Sequence, residues 1–149
     1  MNKRWCAAVW LCVAALHSHA AQPEAQLSGR NWFTVSGDPA RPNTETVQVD
    51  PRALSPQGDL RTMLIRVNRA QERRNWDNEP YRSYESTVRV DCRSRKAYYL
   101  DATFYMEPLW QGQAHLAETY AQKLPPMLFK GMNPNPTERI IRAACGAGG

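Results

Sequence analysis

The stretch SYESTVRVDCRSRKAYYLDATFYM, residues 83–106, decides the fold class. In its first half Val88, Val90 and Cys92 fall on one side of an extended chain, and Thr87, Arg89 and Asp91 on the other. Arg93, Ser94 and Arg95 make a tight, charged turn. From Lys96 the chain alternates again when read as one unbroken strand. Tyr98, Leu100, Ala102, Phe104 and Met106 then share one face, and Tyr99, Asp101, Thr103 and Tyr105 the other. Two β-branched and aromatic runs with a period of two, joined by a short turn, read as the central hairpin of an antiparallel sheet.

Working outward, residues 62–69 (TMLIRVNR) place Met63, Ile65 and Val67 on one face and Arg66 and Asn68 on the other. Residues 44–50 (TETVQVD) do the same with Val47 and Val49 against Thr46 and Gln48. Residues 31–36 (NWFTVS) read as a first strand. The segments between are of a different kind. Residues 51–59 (PRALSPQGD) are a turn-rich connection, and residues 70–82 lack alternation and read as a long hairpin loop. Downstream, residues 107–133 carry the weakest pattern. His115 to Lys123 is compatible with a short helix stopped by Pro125 and Pro126. The end of the chain is clearer. Asn135 offers an N-cap, Pro136 the first helical position and Glu138 the third. Ile140, Ile141, Ala144 and Cys145 follow with helical spacing, and Gly146 closes the helix. The fold class is therefore α+β: an antiparallel sheet of about five to six strands with a C-terminal helix packed on one face.

The first twenty residues belong to a different grammar. Lys3 and Arg4 precede an uncharged apolar run, WCAAVWLCVAAL, and Ser18 and Ala20 put small residues at −3 and −1 of a cut before Ala21. That order marks a secretory signal peptide, and the run is short for a membrane span, which needs about 20 apolar residues. Cys6 follows Trp5 and Cys12 follows Leu11, which argues against a lipid anchor. The expected organisation is a signal peptide at 1–20, a flexible lead at 21–30 and a single globular domain at 31–146, exported to the periplasm or beyond the cell, with no later membrane span. Cys92 and Cys145 remain, and two thiols in an oxidising compartment pair. A bridge between them closes a 53-residue loop, worth roughly 4 kcal/mol in the chain-entropy account.

The 149-residue chain is 42% hydrophobic, enough to build a core. Its net charge of +5 falls to +3 once Lys3 and Arg4 are removed, too weak a balance to argue for nucleic acid. Catalytic equipment is sparse. His115 is the one histidine beyond the signal, and it stands in no nucleophile context. Cys92, Cys145 and His115 do not make a zinc site, no glycine-rich phosphate loop occurs, and no cofactor is expected. Asp91 and Asp101 share the non-core face, but Arg89, Arg93 and Arg95 lie near enough to make ion pairs the better reading. The chain reads as a non-enzyme.

The residues resemble a known pattern: a Trp near the start of the exported chain, a strand running into VDPRAL, the strand SYESTVRVDC, an arginine-rich turn, an aromatic strand and a closing Cys. This is similar to the surface-adhesin protein E family of small exported bacterial proteins, over roughly Trp32 to Cys145. The resemblance implies an antiparallel sheet on a C-terminal helix, a Cys92–Cys145 bridge, dimers, and display at the cell surface for binding host matrix and serum proteins. The missing lipid-attachment motif departs from the founding adhesin.

Two binding features follow from the residues themselves. The face away from the helix should carry Arg66, Arg89, Tyr99, Thr103 and Tyr105, of which Arg66, Arg89, Tyr99 and Tyr105 form the expected protein-binding set. Its partner would be a host matrix protein, an envelope protein or a second copy of the chain. Basic clusters at Arg73-Arg74 and Arg93 to Lys96, the first beside Trp76 and Tyr81, read as a soluble loop and a charged turn.

Overall fold

A computed structural model describes residues 29–120 and 122–146, with the backbone alone considered at 51–54. The expected signal peptide and most of the expected lead lie outside the described residues. Seven strands form one antiparallel sheet: β1 (Phe33–Ser36), β2 (Thr46–Gln57), β3 (Leu60–Arg74), β4 (Pro80–Asp91), β5 (Lys96–Tyr99), β6 (Asp101–Tyr105) and β7 (Ala114–Thr119). The order across the sheet is β1-β2-β3-β4-β6-β7, with β5 also paired to β4. Among the described residues one α-helix, α1 (Thr137–Gly146), follows the strands.

The count exceeds the expected five to six because one strand is broken and another was unrecognised. Val88 pairs with Tyr99, but Glu85 pairs with Thr103. Between these pairs two residues on β4 therefore face three on the other side, and the extra residue is a bulge around Leu100 that divides β5 from β6. A bulge reverses the side on which later residues fall. The seventh strand, β7, occupies the segment compatible with a short helix; Leu116 pairs with Phe104 there, and His115 is exposed on it. Sheet pairing overrides the helical preference of Ala, Leu and Glu.

The connections are also shorter than the composition suggests. β2 runs to Gln57, through the turn-rich stretch, with its register against β3 shifted between Asp50 and Ser55. β3 and β4 extend to Arg74 and Pro80, so the expected 70–82 loop is a five-residue turn. Asn75 closes it: its backbone N–H donates to the Glu79 carbonyl, and its Oδ1 accepts from the N–H groups of Asp77 and Glu79.

One face of the sheet is the core. Val47, Val49, Met63, Ile65, Val67, Val88, Val90, Ala102 and Phe104 are buried together, joined by Met127, Phe129 and Met132 from the later segment and Ile140, Ile141 and Ala144 from α1. The helix starts where expected. Asn135 Oδ1 accepts the Thr137 N–H, while its Nδ2 donates to the carbonyls of Leu128 and Phe129, tying the cap to the preceding segment. Cys145 is bonded to Cys92, just past β4, with Cα atoms 5.5 Å apart.

Candidate functional site

On the outer face the even-numbered residues of β3 up to Asn68 and the odd-numbered residues of β4 from Ser83 point away from the core. At its centre the Arg66 guanidinium lies between two indoles, 3.9 Å from the Trp110 ring centroid and 4.4 Å from that of Trp32. Arg66 Nε donates to Gln48 Oε1 at 2.7 Å, and Gln48 Nε2 donates to Thr34 Oγ1 at 2.9 Å. Trp32 reaches this face because Thr34 pairs with Gln48, and two residues back along an extended chain points the same way.

Trp110 arrives by a more demanding route. Residues Pro108–Trp110 make a single 3-10 turn in which Leu109 and Trp110 hold φ of 55° and 59°. Left-handed backbone at such residues costs about 1–3 kcal/mol each and persists only where surroundings enforce it. Two fully buried side chains do so. Asn68 Oδ1 accepts the Leu109 N–H at 2.7 Å, and its Nδ2 donates to the carbonyls of Pro42 and Thr44. Ser83 Oγ accepts the Trp110 N–H and donates to the Glu107 carbonyl. The indole N–H of Trp110 then donates to the Tyr84 carbonyl. Asn68 and Ser83 thus spend their polarity on holding a tryptophan over Arg66.

Around the stack, Arg30 lies 3.6 Å from Glu85, and Tyr105 is near enough for both charges to act on its hydroxyl. Burial pulls Arg66 down to about 10, with Glu85 opposing that shift. Burial raises Glu85, with Arg30 and Arg66 opposing. Arg30, at the end of the expected flexible lead, is therefore placed against the sheet.

Of the expected set, Arg66 and Tyr105 come together around Glu85. Arg89 lies farther along β4 on the same face, opposite Tyr98. Tyr99 corrects the expectation. It is 3% exposed and sits in the core, because the bulge at Leu100 reverses its side; Tyr98 takes the outer position. The carboxylates Asp91 and Asp101 do not meet as a pair. Asp91 Oδ1 accepts from the N–H groups of Arg93 and Ser94, and hydrogen bonding by the Ser94 side chain first, then by these N–H groups, lowers its pKa; Asp101 Oδ1 accepts from the Thr87 N–H. Trp32 and Trp110 were the missed members of the outer site. Trp32 had a strand signal, whereas Trp110 stands in the segment without periodicity.

A second feature lies on the core side, at the β3–β4 turn. A cavity of about 390 Å³ is lined by Arg69, Arg73, Arg74, Trp76, Tyr81, Tyr84, Tyr99, Phe104, Phe129 and Lys130, among others. Arg73 to Trp76 and Tyr81, within the segment 70–82 that reads as a long hairpin loop, form one wall of it. The Tyr84 and Tyr99 hydroxyls meet at 2.7 Å inside it, and Trp76 leans on Tyr99 with ring centroids 5.4 Å apart while remaining 54% exposed.

Among the described residues no group of three His, Cys, Asp or Glu side chains is placed to hold a metal, and no helix is long and apolar enough to cross a membrane. The family model described as Surface-adhesin protein E matches residues 32–146. No curated protein and no solved structure matches the chain.

Proposed function

The chain belongs to the surface-adhesin protein E family, and on that premise we propose that it is an exported, non-enzymatic binding protein whose outer sheet face takes a protein partner. The observation that carries this reading is the Trp32–Arg66–Trp110 stack beside Tyr105, all four half-buried. Trp, Tyr and Arg are the residue types that dominate binding energy at protein interfaces. Each presents apolar area beside a polar tip, so the patch can be dehydrated without leaving bare charge. The buried scaffold of Asn68 and Ser83 fixes Trp110 beforehand, and a preformed surface loses less entropy on association. Arg89 and Tyr98 extend the face toward the far end of β4.

The proposed partner class is an extracellular-matrix protein, a reading that the family's description as a surface adhesin supports. Hydroxyl-radical footprinting of the purified protein, alone and with a solubilised basement-membrane extract, tests the reading. Trp32, Trp110 and Tyr105 should be protected in the complex while Trp76 is not. Protection of Trp76 with unchanged oxidation of the other three would move the interface elsewhere. Protection of the outer set at high protein concentration without extract would assign the face to self-association instead.

A further inference from the structure

We propose that the cavity at the β3–β4 turn binds a small organic carboxylate with an aromatic body. The inference is independent of the outer face and stands on the cavity's donors, charges and walls.

The donors come first. Tyr84 and Tyr99 are 7% and 3% exposed, and their hydroxyls form one hydrogen bond with each other. Two hydroxyls carry two protons, and one bond uses one. No hydrogen bond of the other proton occurs among the described residues, and both side chains line the cavity. A buried donor without a partner is costly, and an incoming carboxylate oxygen would supply the acceptor. Burial holds both phenols above their ordinary range; their mutual hydrogen bond raises Tyr84 further and opposes the shift of Tyr99, and both stay protonated and able to donate.

The charges agree. Arg69, Arg73, Arg74 and Lys130 line the cavity, and among the described residues no carboxylate does. The acid nearest to them, Glu45, is shared: its Oε2 is 3.2 Å from Arg69 Nε and its Oε1 3.7 Å from Arg73 Nη2. Arg69 is fixed further by donation to the Lys130 carbonyl. Arg73 is 44% exposed, and Lys130 makes no ion pair among the described residues, so both can turn to a ligand. Glu118, on β7 beyond Trp76, is engaged by Asn75 and by the Tyr120 hydroxyl.

The walls set the body of the ligand. Trp76, Phe104 and Phe129 give it flat apolar surfaces, and the half-exposed Trp76 ring stands over Tyr99 at the mouth. A volume of about 390 Å³ suits a molecule of one or two rings. Aromatic walls with cationic and hydroxyl donors on one side select a ring system ending in a carboxylate.

The test uses 2-naphthylacetate and its neutral amide, titrated calorimetrically against the purified signal-free protein. The acid should bind about tenfold or more tightly than the amide, since the charged hydrogen bonds are lost in the amide. Arg73→Gln/Lys130→Gln, at exposed positions, should abolish that preference. Tyr84→Phe/Tyr99→Phe should weaken the acid more than the amide. The control Arg93→Gln, at the other end of β4, should change neither. Equal affinity for acid and amide, no binding of either, or an acid preference that survives Arg73→Gln/Lys130→Gln in a folded protein would each overturn the proposal.

Discussion

Replacing Arg66 by Ala removes three interactions together: the contact with Trp110 at 3.9 Å, the contact with Trp32 at 4.4 Å and the 2.7 Å hydrogen bond to Gln48. A half-exposed cation over an indole is worth about 0.5–1 kcal/mol, and a hydrogen bond from a side chain of this kind about 1 kcal/mol. The substitution should therefore cost about 2–3 kcal/mol. Burial works in the opposite direction, since it draws Arg66 down to about 10, with the Glu85 carboxylate opposing that shift. Arg66→Met separates the two contributions. It keeps a long apolar stem between the indoles but neither the charge nor the hydrogen bond, and should recover little of the loss if those interactions carry it. The assay is urea unfolding of the disulfide-intact protein, followed by far-ultraviolet circular dichroism and by tryptophan fluorescence. The two probes should move together, and the midpoint should fall with little change in slope. A loss under about 0.5 kcal/mol for Arg66→Ala would refute the reasoning. The indoles would then rest beside the guanidinium without being held by it.

Cys92→Ala or Cys145→Ala should cost about 2–5 kcal/mol in the same unfolding assay, because the bridge closes a loop of 53 residues. Gly37→Ala should lose about 3 kcal/mol or more, or fail to accumulate: φ is +83° there, and a Cβ would lie 2.1 Å from the Glu45 carbonyl oxygen. Glu85 should make the protein's stability fall as pH rises. Its folded value is raised above 4.5, so its contribution is full below pH 4.5 and is lost as pH climbs through the folded value. Glu85→Gln should flatten that part of a pH series of urea midpoints.

The parts of the fold that were legible are those where alternation runs unbroken. Val47 and Val49, Met63, Ile65 and Val67, and Val88 and Val90 all face the core, as a period of two requires. Legibility fails at irregularities. Tyr98, Tyr99 and Leu100 are three large apolar residues in a row, so alternation fits either side, and the bulge leaves no mark in composition. That single ambiguity moved Tyr99 from the outer face to the core. Val67, Asn68 and Arg69 are buried in succession because Leu109 and the Pro42–Thr44 segment cover Asn68 from the outer face, and a register shift between Asn68 and Arg73 follows; the strand is thereby hidden beneath a loop-like composition. Trp110 had no readable signal, because its position depends on left-handed backbone enforced by Asn68 and Ser83, residues distant in sequence. The cavity was half legible: Arg73, Arg74, Trp76 and Tyr81 are adjacent in the chain, whereas Tyr84, Tyr99 and Phe129 join them only through sheet pairing and the covering segment.

The central claim is that the outer face does the binding. It is tested most directly by interferometry on an immobilised basement-membrane extract, comparing the parent with Arg89→Ser/Tyr105→Ser and with Arg73→Gln/Lys130→Gln. Interface residues of the hot-spot type cost more than about 2 kcal/mol when truncated, or more than tenfold in affinity. The outer-face double variant should therefore bind at least about tenfold more weakly than the parent at an unchanged urea midpoint, while the cavity variant binds as the parent does. Parent-like binding by a folded Arg89→Ser/Tyr105→Ser protein, or loss confined to the cavity variant, would contradict the account.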